Sequence, residues 1–244
     1  MKILFLDLET SPNLAFVWGL WQQNVSINQL MESTEVICFG ARWHGKKEVI
    51  FKSLHHHGKK AMLDELHKLM EEADVLVGWN SAAFDSKHIK REFIENGYLP
   101  PSPYKEMDLM RVVKSQFKFP SNKLDYVAQT LGVGAKVQHS GFDLWVKCMA
   151  DDKKAWAEMK EYQIQDVNLL IDLYEILKPW IKNHPHAALH EGVEGGCSNC
   201  ASTKLQRRGQ ARTITATYQR FQCMDCGKWL RGDKAIEKTT YKSI

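Results

Sequence analysis

Four apolar residues, Ile3-Leu4-Phe5-Leu6, run without a break into Asp7-Leu8-Glu9. A short unbroken apolar run reads as a strand buried on both faces. Side chains alternate along a strand, so Asp7 and Glu9 point to the same side at its end. Two carboxylates held that close repel each other and raise each other's pKa unless a cation lies between them. The natural cation is a hard divalent one bound through oxygen, Mg²⁺ or Mn²⁺. Acids at strand ends are also common on plain surfaces, so the pair acquires meaning only from acids further along the chain.

Downstream, residues 14–18, 35–43 and 48–52 read as strands of a meander. His55-His56-His57 reads as an exposed loop before a helix over 59–73, whose Met62, Leu63, Leu66, Leu69 and Met70 share a face. Asp74–Trp79 is another buried strand, and a helix over 86–96 is stopped by Gly97. Met107-Asp108-Leu109 ends a strand and opens a helix. Further helices are expected over 124–131 and 142–149, and over 151–180 in one or two pieces, with Ile164, Val167, Leu170, Ile171 and Tyr174 as a core stripe. Strands and helices alternating after a meander argue a mixed α/β domain.

Two more acids fall at informative places. Asp85 follows the strand at 74–79, where open α/β sheets bind their ligands. Asp166 lies four residues after Tyr162 on the long helix, so the two share a helix face.

The three segments Phe-Leu-Asp7-Leu-Glu9-Thr, Asn80-Ser-Ala-Ala-Phe84-Asp85 and Tyr162-Gln-Ile-Gln-Asp166 resemble, in order and separation, the three motifs of the DEDD 3′–5′ exonucleases. Tyr-x-x-x-Asp in the third motif resembles the DEDDy branch, which includes polymerase proofreading domains and the ribonuclease D group. The middle motif is most similar to the family-B polymerase exonucleases. Asp108 and the segment KLDYVAQTLG also look like the family's intervening elements, whereas HSGFDLW at 139–145 departs from them and receives no role. The resemblance covers roughly residues 1–180. It implies a ribonuclease H-like fold, a mixed five-stranded sheet with an antiparallel first half, flanked by helices. It also implies two Mg²⁺ or Mn²⁺ ions held by Asp7, Glu9, Asp85 and Asp166, with water activated for attack and the leaving 3′-oxygen stabilised. On this resemblance Asp7 bridges the ions, Tyr162 orients the attacking water, and Asn80 and Phe84 position the terminal nucleotide.

The tail carries a separate signal. Cys197-x-x-Cys200 and Cys223-x-x-Cys226 are two knuckles with 22 residues between them. Four thiolates in that pattern suit one structural Zn²⁺, and a cytoplasmic setting argues against disulfides. Cys38 and Cys148 read as buried thiols. Residues 197–244 hold ten Lys/Arg and three Asp/Glu, a net +7, whereas residues 1–196 come to −3. A basic tail on a mildly acidic body points to a polyanion. The tail resembles a zinc ribbon, with a strand over 213–221. Its Arg207, Arg208, Arg212 and Arg220 offer charges for phosphates, and Tyr218 and Phe221 offer rings for bases.

The expected organisation is a nuclease domain over 1–182, a linker over 183–196 and a zinc ribbon over 197–244. The expected activity is removal of nucleotides from the 3′ end of single-stranded or frayed DNA. The alternatives are an exoribonuclease of the ribonuclease D kind and a non-catalytic nucleic-acid adaptor. No polymerase domain fits beside these parts, so a polymerase or other replication or repair protein is expected as a partner in trans. No apolar run reaches the length of a membrane span, and no signal peptide is seen, so the expected location is cytoplasmic.

Overall fold

The structure is a computed structural model that describes residues 1–241. Residues 242–244, the end of the expected ribbon, lie outside the described residues. The chain divides into two units, one of Lys2–Leu173 and one of Met1 with the chain from Tyr174 onward.

The first unit grows from β1 (Ile3–Thr10), whose Ile3, Leu4, Phe5 and Leu6 are buried as their unbroken apolar run requires. A small hairpin of β2 (Leu14–Ala15) and β3 (Leu30–Glu32) follows, then β4 (Val36–Trp43) and β5 (Ile50–Ser53). Next come α1 (Leu54–His57), α2 (Lys59–Glu72), β6 (Val75–Gly78), α3 (Asp85–Glu95), β7 (Lys105–Asp108) and α4 (Leu109–Gln116). The series ends with α5 (Leu124–Thr130), α6 (Phe142–Met149) and α7 (Lys153–Leu177). The sheet order is β5-β4-β1-β6-β7, so β1 is central. β1 pairs antiparallel with β4 and parallel with β6, and β4–β5 and β6–β7 continue the two halves. This is the mixed five-stranded sheet of the expected fold. Met62, Leu63, Leu66, Leu69 and Met70 of α2 pack on it together with Leu4, Leu6 and Leu8.

Some local expectations change. The strand expected over 14–18 shrinks to two residues, and the one expected over 48–52 begins at Ile50. The histidine run is helical, not a loop: the Ser53 hydroxyl caps α1 by accepting the His56 amide, and the His55 ring stacks on Trp156 at 5.4 Å. The long helix is one piece, opened by the Asp152 carboxylate accepting the Lys154 and Ala155 amides. Its Val167, Leu170 and Tyr174 are buried as expected, but Ile164 and Ile171 are only half-buried. Met159, Gln163, Asp166 and Leu169 fill the inward face instead. Cys38 and Cys148 are buried thiols.

Gly40 of β4 stands opposite Asp7 in register. A Cβ there would lie 2.9 Å from Gln163 Cγ and 3.0 Å from Val167 Cγ2. The missing side chain is what lets α7 close onto the sheet beside Asp7.

In the second unit, the stretch 183–196 expected as a linker carries a short helix, α8 (Ala187–Glu191), capped by the His186 ring and closed by Gly192 at φ 67°. Ala187 and Ala188 are buried with Ala201 against Val193. Three strands follow, β8 (Leu205–Arg212), β9 (Ala216–Cys223) and β10 (Trp229–Lys238), in an antiparallel sheet ordered β10-β9-β8. The strand expected over 213–221 is β9, starting three residues later.

Gly40→Ala should lower the stability of the first unit by about 1–3 kcal/mol, the usual cost of forcing a methyl into a filled contact. Denaturant titration of the purified protein, read by tryptophan fluorescence, checks this; an unchanged midpoint would mean that α7 does not approach β4 so closely.

Candidate active site

The four acids singled out from sequence all belong to the first unit. Asp7 and Glu9 sit at the end of β1, half-buried. Asp85 is the first residue of α3 and is buried; its Oδ1 accepts the Leu8 amide at 3.2 Å, which ties the start of α3 to β1. The turn leading there is tight. A Cβ on Gly78 would fall 2.5 Å from Ser81 Cβ and 3.3 Å from the Leu6 carbonyl, so only glycine lets the chain fold back on β1. Asn80 holds a left-handed backbone at φ 64°, a region asparagine tolerates. Its carbonyl accepts the Ala83 and Phe84 amides, and its own amide donates to Asp108 Oδ1 at 3.0 Å. Asp108 also accepts the Arg111 amide at the start of α4, so it positions the turn. Phe84 is partly exposed, its ring 4.6 Å from that of His88.

Tyr162 and Asp166 come from the buried face of α7. Between them stands a residue that the sequence reading passed over. Lys136 Nζ donates to the Tyr162 hydroxyl at 2.9 Å and forms an ion pair with Asp166 Oδ2. Its loop is anchored where the Lys136 amide donates to Asp125 Oδ1 at 2.9 Å, which gives the segment KLDYVAQTLG a supporting task. Gln163 is the second residue missed; its Nε2 donates to Asp7 Oδ2 at 2.8 Å. The rings of His139 and Trp145 lie 4.9 and 6.2 Å from that of Tyr162, so the unassigned stretch 139–145 walls the tyrosine. Gln163 was visible inside the third motif, between the two residues chosen there. Lys136 carried only the signal of a lone cation in an otherwise uncharged loop, GVGAKV.

The charges are mutually unfavourable. Burial, then the Asp166 charge, pushes Asp7 up to about 7, with Lys136 and Gln163 pulling the other way. Burial and Asp7 raise Glu9 well above the carboxylate range. Burial and Asp7 do the same to Asp85. Burial raises Asp166 despite Lys136. Tyr162 is pushed far up, by burial and then by Glu9, Asp166 and Asp7, and stays a neutral hydroxyl. The buried Asp166 Oδ1 has no hydrogen-bond partner. An excess of oxygen donors, one of them unsatisfied, fits a hard divalent cation. A cleft of about 600 Å³ opens beside Asp7, lined by Trp79, Asn80, Lys114, Lys123 and Lys136 among others. A larger cavity, about 990 Å³ and lined by His55, Lys59 and Glu92, contains none of the four acids.

In the second unit Cys197, Cys200, Cys223 and Cys226 place four sulfurs within 4.8 Å of one another, the one such metal-ligand set among the described residues. Cys197–Cys226 and Cys200–Cys223 are 3.6 Å apart, far longer than a disulfide. Thiolates around zinc at about 2.3 Å leave edges of roughly 3.8 Å, so the set fits the ion. Burial raises the Cys223 thiol, but the Cys226 and Asp225 amides outweigh it and bring the group down to about 7. Of the four arginines expected to bind substrate, Arg207, Arg208 and Arg212 lie on β8 and Arg220 on β9.

Residues 28–178 match the sequence model of the RNase_H superfamily. The match includes Asp85, Tyr162 and Asp166 and begins after Asp7 and Glu9. The "Putative DNA polymerase 060R" of Frog virus 3 (isolate Goorha) is 29% identical over 110 residues, which is 43% of this chain and 9% of that protein. The family B DNA polymerase from the hyperthermophilic archaeon Pyrobaculum calidifontis superposes with a TM-score of 0.56 at 16% identity, over 73% of this chain and 24% of the polymerase. The chain thus spans a small part of each relative, and at that identity the structural likeness is one of fold. No helix among the described residues is long and apolar enough to cross a membrane.

A carboxyl whose folded pKa is raised stabilises the fold at low pH, and that contribution is lost as pH climbs through the folded value. For Asp7 the window runs from about 4, its unfolded value, to about 7. Without added Mg²⁺ or Mn²⁺, the melting temperature of the first unit should therefore fall from pH 5 to pH 8. Asp7→Asn should flatten that fall, and added Mn²⁺ should reverse it at pH 8. Calorimetry in dialysed buffer, without a chelator that would strip the cysteines, reads the effect; a flat profile in the unsubstituted protein would refute it.

Proposed function

This chain belongs to the RNase H superfamily, and from that premise we propose that it is a metal-dependent 3′–5′ exonuclease of the DEDDy kind. One observation carries the reading: Tyr162 and Asp166 of α7 hold the Lys136 ammonium, Asp7 and Glu9 of β1 feel its charge, and Asp85 of α3 is tied to β1 between them through the Leu8 amide. The polymerase names of the proteins it is similar to favour DNA as the substrate.

Asp7, Glu9, Asp85 and Asp166 would hold two Mg²⁺ or Mn²⁺ ions, which when bound supply Lewis acidity toward water and the phosphate oxygens. The chain's own groups do the rest. Tyr162 stays protonated and, with its oxygen accepting from Lys136, holds a donor in a fixed direction for the attacking water. Gln163 keeps Asp7 turned toward the site. Lys136 offsets part of the negative charge that would repel the phosphodiester. Trp79, Asn80, Lys114 and Lys123 line the cleft in which the terminal nucleotide would lie; Phe84, expected to pack on it, is not among the residues lining that cleft. The four cysteines would hold one structural Zn²⁺, and the arginines of the ribbon would hold the strand. In this reading the nuclease extends over 1–182 and the ribbon over 197–244, and the chain trims or proofreads for a polymerase carried separately.

End-labelled single-stranded DNA and RNA, digested with Mg²⁺ or Mn²⁺ and resolved as ladders, test the activity. A ladder shortening one nucleotide at a time from the 3′ end is expected, faster on DNA. A preference for RNA would move the chain to the exoribonuclease reading. Asp166→Asn should abolish cleavage, and Tyr162→Phe should slow the single-turnover rate by about 10²–10⁴-fold. Cleavage by Asp166→Asn at the unsubstituted rate, at saturating Mn²⁺, would defeat the proposal.

Removing zinc should unfold the ribbon, because a module this small depends on its metal. The expected result is weaker binding of a labelled oligonucleotide with turnover at saturating substrate retained, and truncation after Lys182 should mimic it. Equal affinity with and without zinc would make the ribbon a protein-docking module.

A further inference from the structure

β-Strand register sorts the ribbon's side chains into two unlike faces. β9 pairs with β10 as Arg220↔Arg231 and Gln222↔Trp229, then Tyr218↔Ala235 after a bulge. It pairs with β8 as Gln222↔Gln206 and Tyr218↔Ala211. Paired residues share a side of the sheet. One face therefore carries Tyr218, Arg220, Trp229 and Arg231. Arg208 joins them, since its Nε donates to the Gln206 side chain at 2.9 Å. The other face carries Arg207 and Arg212, opposite Phe221 and Thr217, with Leu230 and Glu237. The four arginines picked from sequence are thus split two and two, and Arg231 and Trp229 are added.

On the first face each guanidinium reaches diagonally to a ring on the neighbouring strand. Arg220 Cζ lies 4.9 Å from the centre of the Trp229 ring, and Arg231 Cζ lies 4.2 Å from that of Tyr218. In each a guanidinium lies over a ring, and the face is open: Trp229 is 48% exposed, both arginines are exposed and Tyr218 is half-buried. Arg220 is further fixed by its Nε donating to the Arg208 carbonyl at 2.8 Å. No carboxylate is paired on this face among the described residues; Glu237 pairs on the other, and Asp233 lies in the bulge.

We propose that this face, Tyr218-Arg231 and Trp229-Arg220 with Arg208 beside them, is the surface on which a single-stranded nucleic acid lies. The proposal deepens the strand-holding role given to the ribbon above and rests on it. Bases stack on exposed rings and on guanidinium planes, and the same guanidiniums meet the phosphates. A duplex hides its base faces, so a single strand is the matching form. Stacking reads no base edge, so DNA and RNA single strands share the required chemistry.

The test is binding of labelled 20-nucleotide oligo(dT) and oligo(U) to the full chain with zinc in place and Ca²⁺ instead of Mg²⁺, across a salt series. Arg220→Gln with Arg231→Gln should weaken binding roughly tenfold or more and lower the log–log salt slope by about 1.4, two phosphate contacts at about 0.7 each. Arg207→Gln with Arg212→Gln removes the same charge from the other face and should cost much less. Trp229→Leu should weaken binding about tenfold with the slope kept, since stacking carries no counterion. Arg220→Lys with Arg231→Lys should keep the slope and lose affinity. One zinc per chain in every variant shows that the ribbon is folded. Equal losses from the two arginine pairs, or none from Arg220→Gln with Arg231→Gln in zinc-replete protein, would overturn the assignment. Because binding is read without hydrolysis, a chain that binds on this face but never cleaves would sink the nuclease reading alone.

Discussion

Like charges forced together at the end of β1 set the terms for the rest of the first unit. Asp7, Glu9, Asp85 and Asp166 each lose hydration and each feel at least one of the others or Lys136. Left alone, such a set would drive the strand end, α3 and α7 apart or take up protons. The surrounding structure holds it together with donors: the Leu8 amide on Asp85, Gln163 on Asp7, and Lys136 on Asp166. Partial compensation is also what gives a site affinity for cations, because binding relieves repulsion that folding has already imposed.

That assembly requires a helix and a sheet in unusually close contact. α7 carries Tyr162, Gln163 and Asp166 within one turn, and only absence of a side chain at Gly40 allows that turn to reach Asp7. A similar economy operates at Gly78, where Ser81 folds back against β1 and delivers Asp85 to the first turn of α3. Two glycines thus fix where three of the four carboxylates meet. Asp108 and Asp125 act a step further out, one holding the Asn80 turn and the other the Lys136 loop.

The second unit solves a different problem. Its three strands leave both faces largely open, and few apolar side chains are buried there. Four cysteines are brought within 4.8 Å of one another there, a set that fits a structural metal ion. Freed from covering a core, the sheet faces are available for recognition, and cation–ring stacks between β9 and β10 stiffen one of them.

Local chemistry written along the chain was enough to find the central strand, the buried face of α2, the acid–tyrosine motifs and the cysteine knuckles. Those signals lie in spacing: an apolar run, an i, i+4 pair, a Cys-x-x-Cys. A mixed α/β domain was legible for the same reason, whereas its five-stranded mixed sheet was implied only by the resemblance of the acid motifs to the DEDD exonucleases. Tertiary structure alone decided that Lys136 sits among the acids, since a loop lysine carries no period and its partner Asp166 lies 30 residues away. It alone decided that His55 would stack on a ring, because Trp156 had first to be brought to it, while His56 and His57 stay exposed. And it alone decided which ribbon arginines share a face. Register and bulges, which depend on pairing between strands and not on the order of residues within one, set Arg208 and Arg220 on one side of the sheet and Arg207 and Arg212 on the other.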